Sequence, residues 1–116
     1  MPFYLVQAKY TSAGAKGLTS NPQDRGEAVA KLAEAVGGKL HAFYYAFGDY
    51  DAVMIIEAPD NVSIVSMVMT GSGAGGSTIK TTPLLTREEG LAAMRQAGAL
   101  ADRWTPPTRY EFGPGG

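Results

Sequence analysis

The 116 residues, 45% hydrophobic and 18% charged, describe one ordinary globular domain, long enough to bury a single core. The lack of cysteine excludes disulfides, thiolate metal sites and cysteine nucleophiles. A formal net charge of −1 and a pI near 5.7 argue against a surface that binds nucleic acid by neutralising phosphates.

In chain order, Phe3–Tyr10 alternates and is rich in β-formers, which predicts a first strand. A Thr-, Ser- and Gly-containing loop is expected next, ending at Asn21-Pro22, where a capping Asn and a Pro at the first helical position predict a helix. Val29, Leu32 and Val36 give that helix its apolar face, and Gly37-Gly38 ends it. Residues 39–47 and 50–57 read as two strands joined by a tight turn at Gly48-Asp49. Pro59-Asp60 stops the second of them and caps a helix over 61–70, in which Val62, Ile64, Val65, Met67, Val68 and Met69 are all apolar. A helix so apolar in a small domain needs cover on more than one side, from the C-terminal helix or from another subunit. The glycine-rich run 71–76 leads to a fourth strand over 78–85. Thr86 with Glu89 is a capping-box signature for a helix over 87–103. The domain is expected to span residues 1–104, with a C-terminal tail over 105–116.

This order is βαββαβ plus an extra helix: an α+β, ferredoxin-like arrangement with a four-stranded antiparallel sheet. Alternation divides each strand between two faces. In the first strand Tyr4, Val6 and Ala8 are assigned to the helices, and Leu5, Gln7 and Lys9 to the open face. A turn at Gly48-Asp49 sets Phe47 opposite Tyr50, Tyr45 opposite Ala52, Phe43 opposite Met54 and His41 opposite Ile56. Leu40, Ala42, Tyr44, Ala46, Val53 and Ile55, mostly small and aliphatic, are assigned to the helix side. The open face then carries Leu5, Gln7, Lys9, His41, Phe43, Tyr45, Phe47, Met54 and Ile56, with Lys80 and Thr82. Such a mixed apolar and polar surface predicts a homodimer formed sheet to sheet, with a pocket between the sheets.

At Gly48-Asp49-Tyr50-Asp51 the chain resembles the GYD domain family, named for a Gly-x-Tyr-Asp hairpin and grouped with the dimeric α/β barrels. The resemblance includes Gly48, Tyr50 and Asp51, the following Glu57-Ala58-Pro59-Asp60, and the earlier Tyr10-Thr11 and Arg25, and it covers about residues 3–86. It implies the ferredoxin-like fold and the sheet-to-sheet dimer, and it supplies no activity. Relatives in the wider barrel group range from cofactor-free monooxygenases and isomerases to haem enzymes and ligand sensors, so fold alone does not choose among them.

Candidate residues follow from the proposed pocket face. His41 is the one side chain of a type whose unperturbed titration falls near neutral pH and is the candidate general base, with Tyr45 as a hydroxyl that orients a ligand. The plainer reading gives both a packing or interface role. Gln7, Lys9, Phe43, Met54 and Lys80 are candidate ligand contacts, the lysines suited to an anionic group. Tyr50 and Asp51 are read first as structural, the carboxylate accepting hydrogen bonds from nearby backbone or from Arg25. The run 71–76 follows a helix and precedes a strand, the reverse of a phosphate-binding loop, and reads as a connector. No metal site and no cofactor is expected. Two functions compete: a small-molecule enzyme, such as a cofactor-free oxygenase or isomerase acting on an apolar or aromatic substrate, and a non-catalytic ligand-sensing or assembly module. RNA stacking on Phe43 and Tyr45 is disfavoured by the acidic balance and by the lack of a Lys/Arg-Gly-Phe-type strand motif. The N-terminus lacks a signal-peptide pattern and no apolar run spans a bilayer, so a cytoplasmic protein with no membrane partner is expected.

Overall fold

The structure, a computed structural model, describes residues 1–107 and divides the chain into two compact units, Met1–Leu84 and the segment from Leu85 onward. The first unit contains strand β1 (Phe3–Tyr10), helices α1 (Ser12–Ser20) and α2 (Arg25–Ala35), strands β2 (Lys39–Tyr45) and β3 (Ala52–Glu57), helix α3 (Asn61–Gly73) and strand β4 (Ser77–Leu84). The four strands form one antiparallel sheet in the order β2-β3-β1-β4, the ferredoxin-like topology the strand pattern predicts. The second unit begins with helix α4 (Arg87–Leu100), whose first turn carries the expected capping box. The Thr86 side chain accepts from the Glu89 backbone N–H, and the Glu89 carboxylate accepts from the Thr86 N–H. The last residues of the tail expected over 105–116 lie outside the described residues.

The expected loop after β1 is in fact mostly helix α1. Thr11 starts it: its hydroxyl oxygen accepts from the Gly14 N–H at 3.1 Å and donates to the Gly75 carbonyl at 2.8 Å. Asn21 therefore closes α1 instead of opening the next helix. Asp24 caps α2, accepting from the Gly26 N–H at 2.9 Å. Gly37 adopts φ +81° beyond the end of that helix, a conformation open to glycine at little steric cost. Asp60 caps α3 as expected, accepting from the Ser63 N–H at 2.9 Å.

The sheet carries three full rungs on its helix side. Leu40, Ile56, Tyr4 and Pro83 form one, Phe43, Met54, Val6 and Thr81 the next, and Tyr45, Ala52, Ala8 and Ile79 the third. Tyr4, Val6, Ala8, Ala52, Met54 and Ile56 are buried there with Ala33 of α2 and Ile64 and Met67 of α3. Tyr4 is 1% exposed, and its hydroxyl donates to Asn61 Oδ1 at 2.6 Å, so the largest core side chain meets its polar requirement at the start of α3.

Two of the sequence-based face assignments are reversed. The expected pairing of Tyr45 with Ala52 and of Phe43 with Met54 is observed, but this set faces the helices, while Ala42, Tyr44, Val53 and Ile55 lie on the open face. Volume alone favours the small and aliphatic set for the helix side. The partnership of Met54 with Val6 and of Ile56 with Tyr4 across β1–β3 sets the faces instead. The turn is also longer than expected: Ala46 N–H donates to the Asp51 carbonyl at 2.8 Å, leaving residues 47–50 as the loop.

Candidate functional site

The helix side of the sheet bounds a partly open cavity of about 380 Å³. Its floor is Val6, Ala8 and Tyr10 of β1, Ala52, Met54 and Ile56 of β3, Phe43 of β2 and Ile79 of β4. Its walls are Gly14, Gly17 and Leu18 of α1, Ala28, Val29 and Leu32 of α2, and Ile64, Met67, Val68 and Gly71 of α3. The space follows from side-chain volume. The central floor pairs run from Tyr4–Ile56 through Val6–Met54 to Ala8–Ala52, shrinking towards the end where α1 and α3 present glycine. Facing small residues leave a gap that larger ones would fill.

Polar groups gather at the end bounded by Asn21, Gln23 and Arg25. The Arg25 guanidinium donates to Gln23 Oε1 at 2.7 Å, and the Arg25 backbone N–H donates to the Tyr45 hydroxyl at 3.2 Å. Tyr45 meets Phe43 edge-on, ring centroids 5.1 Å apart. Burial raises the Tyr10 phenol above its ordinary value, with Tyr45 and Asp51 adding to the rise and Arg25 opposing it.

The open face carries the other candidates. Its rungs are Lys39, Glu57, Phe3 and Leu84; Ala42, Ile55, Leu5 and Thr82; and Tyr44, Val53, Gln7 and Lys80, followed by Lys9 with Thr78. The β2–β3 register shifts between Leu40 and Ala42. Leu40 thereby takes the place opposite Ile56 that uninterrupted pairing assigns to His41. The displaced His41 ring lies 5.2 Å from that of Phe3, and its Nε2 lies 2.9 Å from Glu57 Oε1. A bulge re-aims a side chain in this way.

The expected site is therefore split by the sheet. Gln7, Lys9, Lys80 and His41 lie on the open face; Phe43, Met54 and Tyr45 lie on the helix side, against the cavity or at its polar end. Phe47 is fully exposed in the loop after β2. Of the motif residues, Gly48 and Tyr50 lie in the same loop. Asp51 ties that loop to the sheet: its Oδ2 accepts the Tyr10 N–H at 2.9 Å, and its own N–H donates to the Ala8 carbonyl at 2.8 Å. Of the two partners expected for the carboxylate, backbone and Arg25, the hydrogen bond is to backbone.

A model of the GYD domain matches residues 4–94, a span that includes the hairpin and all four strands from Tyr4 onward. The chain belongs to the GYD domain family. This GYD chain is 30% identical over 84 residues to a Thermus thermophilus protein named glutamine synthetase and cystathionine beta-lyase binding protein. The alignment covers 72% of this chain and 86% of that relative. No solved structure matches the chain. Among the described residues of the GYD chain, no group of three His, Asp or Glu side chains is placed to hold a metal, and no helix is long and apolar enough to cross a membrane. The residues that sequence reasoning missed are small ones that line the cavity, Ala8, Gly17 and Ala52, with Gly14 kept small by the Gly76 carbonyl against it. Glycine at both 14 and 17 beside β-strand alanines was the available signal.

Proposed function

We propose that this GYD protein is a non-catalytic binding module, a homodimer that docks on an enzyme of amino-acid metabolism. The observation that carries the reading is the separation of His41 from Tyr45. The two side chains a catalytic reading pairs stand on opposite faces of one sheet, one hydrogen-bonded to Glu57 and the other to α2. Acid–base catalysis needs its groups within reach of one substrate.

Two apolar surfaces supply the contacts. All three helices of the first unit lie on one face of the sheet, leaving Phe3, Leu5, Tyr44, Val53 and Ile55 as an apolar field on the other. Lys9, Lys39 and Lys80 lie around that field, so its apolar centre is what a second copy would cover. On α3, Val62, Val65 and Met69 share one stripe turned away from the sheet, while Ile64 and Met67 face it. The stripe has the three- and four-residue spacing by which one helix engages a partner's groove. The relative's name supports the partner class, because the similarity spans most of both chains.

The test is a mixture of the purified chain with glutamine synthetase, and separately with cystathionine beta-lyase, from the same source, followed by size-exclusion chromatography. The expected result is a co-eluting complex with one of the two at micromolar concentration, lost on Val65→Glu in a chain that remains folded. Failure of both enzymes to bind, or a turnover reaction abolished by His41→Ala, would reject the reading.

A further inference from the structure

We propose that the helix-side cavity is a binding site for a small monocarboxylic acid, its apolar body within the cavity and its carboxylate at Arg25. The inference does not rest on enzyme docking, and its test uses the chain alone.

Size and lining set the body of the ligand. A cavity of about 380 Å³ lies within the range of sites that bind small molecules, roughly 300–1,000 Å³. Its interior is built of Val29, Leu32, Phe43, Met54, Met67 and Ile79, which offer no hydrogen bonds to a polar body. A strongly polar ligand would lose its hydration there without replacement. Methionine on the floor and on one wall suits apolar bodies of different shape, since its side chain is unbranched and adaptable.

Arg25 sets the head group. Among the described residues, no carboxylate lies within 4.0 Å of its guanidinium, which holds a neutral partner, Gln23 Oε1, instead. The nearby Asp51 carboxylate is engaged by the Tyr10 backbone N–H. An arginine at the end of an apolar cavity, oriented by a neutral amide, offers its remaining donors to a carboxylate in bidentate geometry. Tyr10 lines the same cavity, its phenol able to donate a further hydrogen bond. Asn21 and Gln23 are exposed, so this end of the cavity meets solvent and the charged head need not be fully dehydrated.

Isothermal titration calorimetry of the full chain at neutral pH, with octanoate and with the neutral 1-octanol, tests both halves. Octanoate is expected to saturate one site and to bind about tenfold or more tightly than octanol. Arg25→Gln should reduce octanoate to the level of octanol, and Arg25→Lys should retain part of the difference because the charge remains. Ala52→Leu, which grows a side chain into the cavity floor, should abolish binding of both while leaving the melting temperature equal or higher, because it fills a void. The absence of saturable binding by either probe would overturn the proposal. So would equal affinity for octanol and octanoate, unchanged binding by folded Ala52→Leu, or the unfolding of Ala52→Leu, which would mean there is no void to fill.

Discussion

Gly14 and Gly17 lie on one helix and have opposite reasons to be glycine. A Cβ at Gly14 would collide with the Gly76 carbonyl, where the start of α1 is hydrogen-bonded to the chain entering β4. A Cβ at Gly17 meets nothing within 4 Å. Gly14→Ala should therefore destabilise the fold by about 1–3 kcal/mol, as backbone must shift to admit it. Gly17→Ala should stabilise it by roughly 0.5–1 kcal/mol through helix propensity. Urea denaturation of both variants checks the contrast. Asp51 is a second position where the role is local: Asp51→Ala strips the Tyr10 N–H of its acceptor, at an expected cost of about 1–3 kcal/mol, and Asp51→Asn keeps an acceptor and should cost less. The motif residue was legible as a hydrogen-bond acceptor near a turn. Its partner was not, because Tyr10 is distant in sequence.

At the scale of elements, the strands and the caps of α3 and α4 were legible, those of α1 and α2 were not, and the departures have local causes. Helix α1 was hidden because Gly14 and Gly17 depress propensity, while the Thr11 cap and the bonds to Gly75 and Gly76 that hold it are tertiary. The N-cap of α3 carries a pH dependence. The Asp60 carboxylate sits below its ordinary value because the Ser63 backbone and side chain hydrogen-bond to its charged form. A depressed folded-state value means that the capping contribution is present above the unfolded value and is lost as acid protonates the group through the lower folded one. Stability curves should thus lose a contribution as pH falls below about 4, and Asp60→Asn, still a cap but without a titrating group, should flatten that part of the curve. In α4, Thr86→Ala removes one half of the capping box and should increase amide exchange over the first turn, with a cost of about 1 kcal/mol to the helix.

For the whole molecule, the proposed homodimer places two open faces together. Leu5 and Ile55 are cross-strand partners on the rung between those of Phe3 and Gln7. Leu5→Lys with Ile55→Lys puts two like charges in that field. Light scattering should show the parent at the mass of two 12.2 kDa subunits and the double variant at one, still folded by circular dichroism. A monomeric parent would reject the dimer and leave the cavity proposal standing, since the cavity lies within one chain.

The ferredoxin-like order, the first strand and its two faces, the Asp60 cap, the capping box of α4 and the GYD resemblance followed from sequence by itself, because each rests on a local pattern or on the order of such patterns along the chain. The pairing of Tyr45 with Ala52 and of Phe43 with Met54 was legible for the same reason, being set by a short hairpin. Which side of the sheet that hairpin turned was decided only in three dimensions. A strand pair with large side chains on one face and smaller ones on the other can lie either way up, and the choice came from Met54 meeting Val6 and Ile56 meeting Tyr4 in a strand more than forty residues away. The same reversal moved Phe43 and Met54 from the open face to the cavity and parted Tyr45 from His41. Tertiary packing also made the cavity itself, because an empty volume is a property of facing surfaces and no single residue encodes it.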